Sequence, residues 1–61
     1  MTEIEQMRRD LGWTQARLAG LAQVDQSTIS LLETTGKQPT RKIGLRLAQA
    51  FGLPADYFTK Q

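Results

Sequence analysis

Sixty-one residues, 39% of them hydrophobic, fit one small domain spanning residues 1–61, with a modest core and no room for a second. The chain has no cysteine and no histidine, which excludes a disulfide framework, a thiolate or imidazole metal site and the usual general base near neutral pH. Net charge is only +2, too small by itself to announce a polyanionic partner.

No run approaches the roughly 18 consecutive apolar residues of a membrane span. The start Met1-Thr2-Glu3-Ile4-Glu5 is acidic and polar, unlike a secretory signal. A cytoplasmic location is the expectation. Ile4, Met7 and Leu11 recur at spacings of three and four, one face of a first helix with Thr2 as its N-cap and Gly12 as its stop. Glu3 and Glu5 lie two apart and do not face each other, so they are solvated charges rather than a catalytic pair. Thr14 caps a second helix, Gln15 through Ala22, with Leu18, Ala19 and Ala22 on a common face.

Gln23-Val24-Asp25 breaks the pattern, and Asp25 is a suitable cap for a third helix over about 26–34 whose buried stripe holds Ile29 and Leu32. The polar run Thr34-Thr35-Gly36-Lys37-Gln38-Pro39 reads as a loop. Thr40 caps a fourth helix carrying Ile43, Leu47, Ala50 and Phe51, stopped by Gly52. Pro54 suits a first helical turn and opens a short fifth helix over Ala55 to Phe58. No alternating run is long enough for a strand, and there is no repeat. The expected fold is all-α, a bundle of five short helices.

Charge is unevenly distributed. Between Thr34 and Ala55 lie four basic residues, Lys37, Arg41, Lys42 and Arg46, and no acidic one, while Glu3, Glu5 and Asp10 sit near the N-terminus. Such asymmetry suits a polyanion-binding surface and equally a solvated helix face. The link between helices two and three says more. About three residues force the second of the pair to turn sharply across the first, the helix-turn-helix geometry, in which one helix crosses the phosphate backbone and the other enters the major groove.

The two helix starts agree with that geometry. Thr14-Gln15 places a polar side chain at a helix N-terminus, a natural phosphate clamp. Gln26-Ser27-Thr28 opens the third helix with side chains able to read base edges, the threonine methyl being able to meet thymine. Polar residues also populate exposed helix starts for solvation alone. Both starts being polar and uncharged, on either side of a three-residue turn, favours DNA.

The run Leu11-Gly12-Trp13-Thr14-Gln15-Ala16-Arg17-Leu18-Ala19, then Val24-Asp25-Gln26-Ser27-Thr28-Ile29-Ser30-Leu31-Leu32-Glu33, then Pro39 and Leu47-Ala48, resembles the Cro/CI (XRE) family of helix-turn-helix repressors. The resemblance covers about Met7 to Phe58 and implies the compact five-helix, lambda repressor-like fold. It implies a phosphate contact and a brace on helix three for Gln15, and base reading for Gln26, Ser27 and Thr28. Ser30 and Leu31 match positions that contact bases or backbone farther along. Lys37, Gln38 and Arg41 fall in or beside the loop that follows the DNA backbone. Arg8 and Glu33 match a partly buried salt bridge between helices one and three. In the family the C-terminal region, here Leu53, Tyr57 and Phe58, often forms a dimer contact, so a homodimer is expected.

Three positions depart from the family pattern. Gln23 stands where glycine usually supplies a left-handed turn, a conformation costing a non-glycine residue on the order of 1–2 kcal/mol. Thr35 stands at the usual glycine after helix three, with Gly36 following. Leu31 replaces a commonly polar or basic residue and suits either a thymine methyl or a protein partner. Trp13 reads as a packing residue rather than a base-stacking platform. Gly44 inside the fourth helix suits close approach of a neighbouring helix, and Arg17 a solvated charge or a phosphate contact.

The sequence therefore reads as a binder of specific double-stranded DNA sites, a transcriptional repressor or regulator of a phage or bacterial operon, with no cofactor, metal or small-molecule ligand in view. The alternative is a protein-interaction module on the same fold, such as an antitoxin, supported by Leu21 and Leu31 at positions expected to be exposed. An enzyme is not expected, since the chain lacks histidine, cysteine, a phosphate-cradling glycine loop and a clustered carboxylate site.

Overall fold

The computed structural model describes residues 2–59 and contains four α-helices: α1 (Glu3–Asp10), α2 (Gln15–Ala22), α3 (Gln26–Thr35) and α4 (Arg41–Phe51). No strand occurs among the described residues, and no helix is long and apolar enough to cross a membrane.

Three helices begin on a threonine whose hydroxyl accepts from the backbone N–H three residues on: Thr2 from Glu5 at 3.1 Å, Thr14 from Arg17 at 3.0 Å and Thr40 from Ile43 at 3.2 Å. Each such bond satisfies one orphan donor and is worth about 1 kcal/mol. Asp25 takes the cap position of α3 with extended backbone, but its carboxylate makes no capping bond. All four helices hand over to the next segment through a left-handed residue, which is glycine at 12, 36 and 52 and glutamine at 23.

Two boundaries differ from expectation. Helix α3 runs through Thr34 and Thr35, where a loop was expected, because the first residue free to adopt a positive φ is Gly36 at 69°. The Gly36 N–H closes the helix on the Leu32 carbonyl at 3.0 Å, and the Thr35 hydroxyl donates to the Leu31 carbonyl at 2.8 Å. The fifth helix expected over Ala55–Phe58 is replaced by consecutive turns. Tyr57 N–H bonds to the Pro54 carbonyl at 2.9 Å and Thr59 N–H to that of Asp56 at 3.2 Å, both three-residue closures. So few residues do not offset the cost of nucleating an α-helix, and the segment is held by burial of Phe58 instead.

The core consists of Ile4, Leu18, Ala19, Ala22, Ile29, Leu32, Leu47, Ala48 and Phe58, with Leu18, Ile29 and Leu47 fully enclosed. Helix α2 packs against α3 and α4, and α1 against α3. The apolar stripe read for α1 is corrected at one position. Leu11 is 53% exposed, and the residue turned inward beside Ile4 is Arg8. Trp13 closes the other side of the core, its ring stacked on Phe51 with centroids 5.6 Å apart and 13° between planes. Phe51 in turn meets Phe58 at 6.1 Å. These aromatic pairs add of order 1 kcal/mol each to their simple burial.

Gly44 has a packing reason, though the neighbour is not a helix. A β-carbon there would stand 2.8 Å from the Thr59 methyl and 3.4 Å from Phe58 Cβ, so the absent side chain lets the C-terminal turns lie directly on α4.

Candidate nucleic-acid interface

Residues 23–25 alone connect α2 to α3. Gln23 adopts φ 58° and ψ 44°, the left-handed conformation for which the family pattern uses glycine. The turn geometry is thus retained at a cost of about 1–2 kcal/mol. Three hydrogen bonds hold it, the first from the Gln23 N–H to the Ala19 carbonyl. The Val24 N–H reaches back to the Ala19 carbonyl at 3.0 Å, and Arg46 of α4 donates from Nη1 to the Gln23 carbonyl at 2.8 Å.

Past the turn, α3 turns Ile29, Leu32 and Glu33 inward and leaves Gln26, Ser27, Leu31, Thr34 and Thr35 exposed, with Thr28 and Ser30 half-buried between them. The first turn of α3 is therefore a set of uncharged polar side chains on an accessible helix start, while its C-terminal half is anchored to the core.

That anchor is an ionic network. Arg8 Nε donates to Glu33 Oε2 at 2.7 Å and Nη2 to Oε1 at 3.1 Å, a two-pronged pair whose side chains are only 9% and 4% exposed. The remaining Nη1 donates to the Trp13 carbonyl at 2.7 Å. Gln15 Nε2 completes the shell of Glu33, donating to Oε1 at 2.9 Å. No buried side-chain polar atom is left without a partner among the described residues.

The network also sets the protonation of its members. Burial alone pushes the Glu33 carboxyl upward, but the hydrogen bonds from Arg8 and Gln15, together with the arginine charge, carry it below the ordinary value of 4.5. The hydrogen bond to Glu33 raises the Arg8 guanidinium further, against the opposing effect of burial.

Not every residue expected at the interface sits in the same environment. Gln15 is half-buried and its amide nitrogen is engaged by Glu33, so it joins the first turn of α2 to α3 from within. Thr28, Leu31, Lys37 and Gln38 border one shallow groove with Leu32, Thr35, Pro39, Thr40 and Ile43. Lys37 and Arg41 are exposed. Gln38 also donates its side-chain amide to the Phe58 carbonyl, tying the α3–α4 loop to the C-terminal turns.

Two basic residues beside the candidate site carry no assigned role in the sequence pattern beyond their charge. Lys42 and Arg46, one helical turn apart on α4, border a groove with Gln23, Val24, Asp25 and Thr28. Their spacing of four was the visible signal. The partnership of Arg46 with a backbone carbonyl of the turn leaves no trace in sequence. The assembly can therefore present amide and hydroxyl groups at the start of α3 with guanidinium and ammonium groups beside them.

No curated protein and no solved structure gives a significant match to the chain. A family model described as helix-turn-helix matches residues 4–58, spanning all four helices and the turns through Phe58. The family is a DNA-binding one. With the Thr14 cap, the three-residue turn and the Arg8–Glu33 joint in place, the chain belongs to the Cro/CI (XRE) type of helix-turn-helix proteins.

Proposed function

We propose that the protein is a sequence-specific binder of double-stranded DNA and acts as a transcriptional repressor by occupying its site. Helix α3 lies in the major groove, where Gln26, Ser27 and Thr28 read base edges. Gln15 at the start of α2, with Lys37, Arg41 and the α3–α4 loop, follows the phosphates and sets the register. Ser30 and Leu31 face the groove farther along the helix. The reading rests on one observation above all: an exposed, uncharged first turn of α3 flanked by cations of α4.

Two copies associate through the C-terminal turns, where Tyr57 is 38% exposed and Leu53 half-buried, and each copy meets one half-site about one helical turn from the other. Selection of bound sites from a random duplex library, with the association state measured alongside, tests this. A palindromic consensus bound by a dimer supports it. Recovery of no preferred sequence at moderate salt overturns it.

A second reading follows from Leu21, 44% exposed, and Leu31, 57% exposed, which suit a direct protein partner such as the toxin of a toxin–antitoxin pair. Pull-down from a native lysate with and without nuclease separates the two, since DNA-mediated partners are lost on digestion and direct partners remain.

A further inference from the structure

Helix α3 carries no arginine and no lysine in its ten residues. Its one carboxylate, Glu33, is turned inward and held by Arg8 and Gln15. What it offers outward is one amide, several hydroxyls and a set of methyl groups, of which the most prominent belong to Leu31, 57% exposed. Leu31 shares its groove with Thr28 and Lys37, and Thr28 borders a second groove with Lys42, Arg46 and Asp25. The apolar side chain thus shares its groove with one cation, Lys37, and the neighbouring groove, which meets it at Thr28, carries two more beside the exposed carboxylate of Asp25.

A surface of that charge fits a polyanion, and Leu31 gains nothing from a phosphate. The major groove displays one apolar group, the C5 methyl of thymine, and guanine is most commonly read by the arginine or lysine that α3 lacks. We propose that Leu31 is a specificity-determining residue that packs on a thymine methyl, so that the bases facing the middle of α3 include a preferred thymine. This rests on the groove-reading role of α3 proposed above.

Uracil isolates the methyl group, because it keeps every hydrogen-bonding atom of thymine. A duplex carrying the site selected by the protein is synthesised with each thymine replaced by deoxyuridine in turn, and binding is measured for the wild-type chain and for Leu31→Ala. One position per half-site is expected to weaken by about four-fold on losing its methyl, the worth of one buried methyl-sized group. Leu31→Ala is expected to bind the thymine and uracil duplexes equally at that position, while thermal melting shows the exposed substitution leaves the fold intact. Equal binding of all uracil duplexes by the wild type, or a uracil penalty that persists in Leu31→Ala, overturns the assignment and leaves groove reading by α3 standing. Absence of any selected site overturns the groove-reading role itself, and the assignment with it.

Discussion

Helix α3 is held at its two ends by joints of opposite character. Toward its C-terminus, Glu33 is enclosed by Arg8, Gln15 and the wall of the core, with every polar atom paired. At its N-terminus the chain passes through a left-handed glutamine, Asp25 makes no capping bond, and the external brace is the half-exposed Arg46 on the Gln23 carbonyl. The first joint is over-determined and dry. The second is strained, thinly supported and wet. A small domain has stability to spare for one rigid fixture, and it is placed at the far end of the helix from the exposed polar turn. The near end keeps local freedom to adjust to a surface it meets.

The comparison is broken most severely at Arg8. Arg8→Ala leaves Glu33 buried without its cation and should cost about 3–5 kcal/mol. A chain of this length has only roughly 3–9 kcal/mol in all. Urea titration should find the unfolding midpoint shifted far toward zero denaturant, and a loss below about 1 kcal/mol would contradict the enclosed joint.

Acid acts on the same joint. Glu33 has a folded-state pKa below its ordinary 4.5, so its contribution is fully present above that pH and disappears as the pH falls through the depressed folded value. Thermal melts between pH 7 and 3 should show this decline in the wild type. A flatter acid limb is expected in Glu33→Gln, beneath an overall lower stability, and parallel curves would remove Glu33 from the account.

Smaller effects probe the other joint. Arg46→Ala removes a charge-assisted bond at a partly solvated site, a loss of about 0.5–1.5 kcal/mol. Its signature is local: amide exchange should quicken at Gln23 and Val24 while Leu18 and Leu47 keep their protection. Gln23→Gly should work in the opposite direction. Relief of the left-handed strain outweighs the greater freedom glycine gives the unfolded chain, for a net gain of about 0.5 kcal/mol. A loss of stability on this substitution would show that the glutamine side chain contributes more than its backbone costs.

Local chemistry made most of the fold legible in sequence. The threonine caps at 2, 14 and 40, the stops at Gly12 and Gly52 and the buried faces of α2 and α3 follow from interactions within a few residues of each other. Apart from the end of α3, which runs past Thr34 and Thr35 to the first glycine, the misreadings concern partners distant in the chain. Arg8 displaces Leu11 from the interior because its counter-ion lies 25 residues away, and periodicity alone ranks any leucine above any arginine. The turns at 55–59 look like a helix start because proline and alanine permit one, whereas Phe58 and the missing β-carbon at Gly44 decide the outcome. For the candidate interface, the exposed polar opening of α3 was readable. The brace of Gln15 on α3 was implied by the family resemblance, whereas the tie of Gln38 to Phe58 and the bracing of the turn by Arg46 were not readable.

The stacking of Trp13 on Phe51 carries a spectroscopic consequence. Trp13 is the single tryptophan of the chain. Its ring rests on Phe51, which adjoins the buried Phe58, while its carbonyl receives the Arg8 guanidinium. Its emission is therefore an unlabelled gauge of two separate events, the seating of the C-terminal turns and the integrity of the ionic joint. Because the indole lies off the outer face of α3 and two residues before Gln15, a change in that emission when DNA is added would report on the start of α2 and the core behind it, not on base reading by α3.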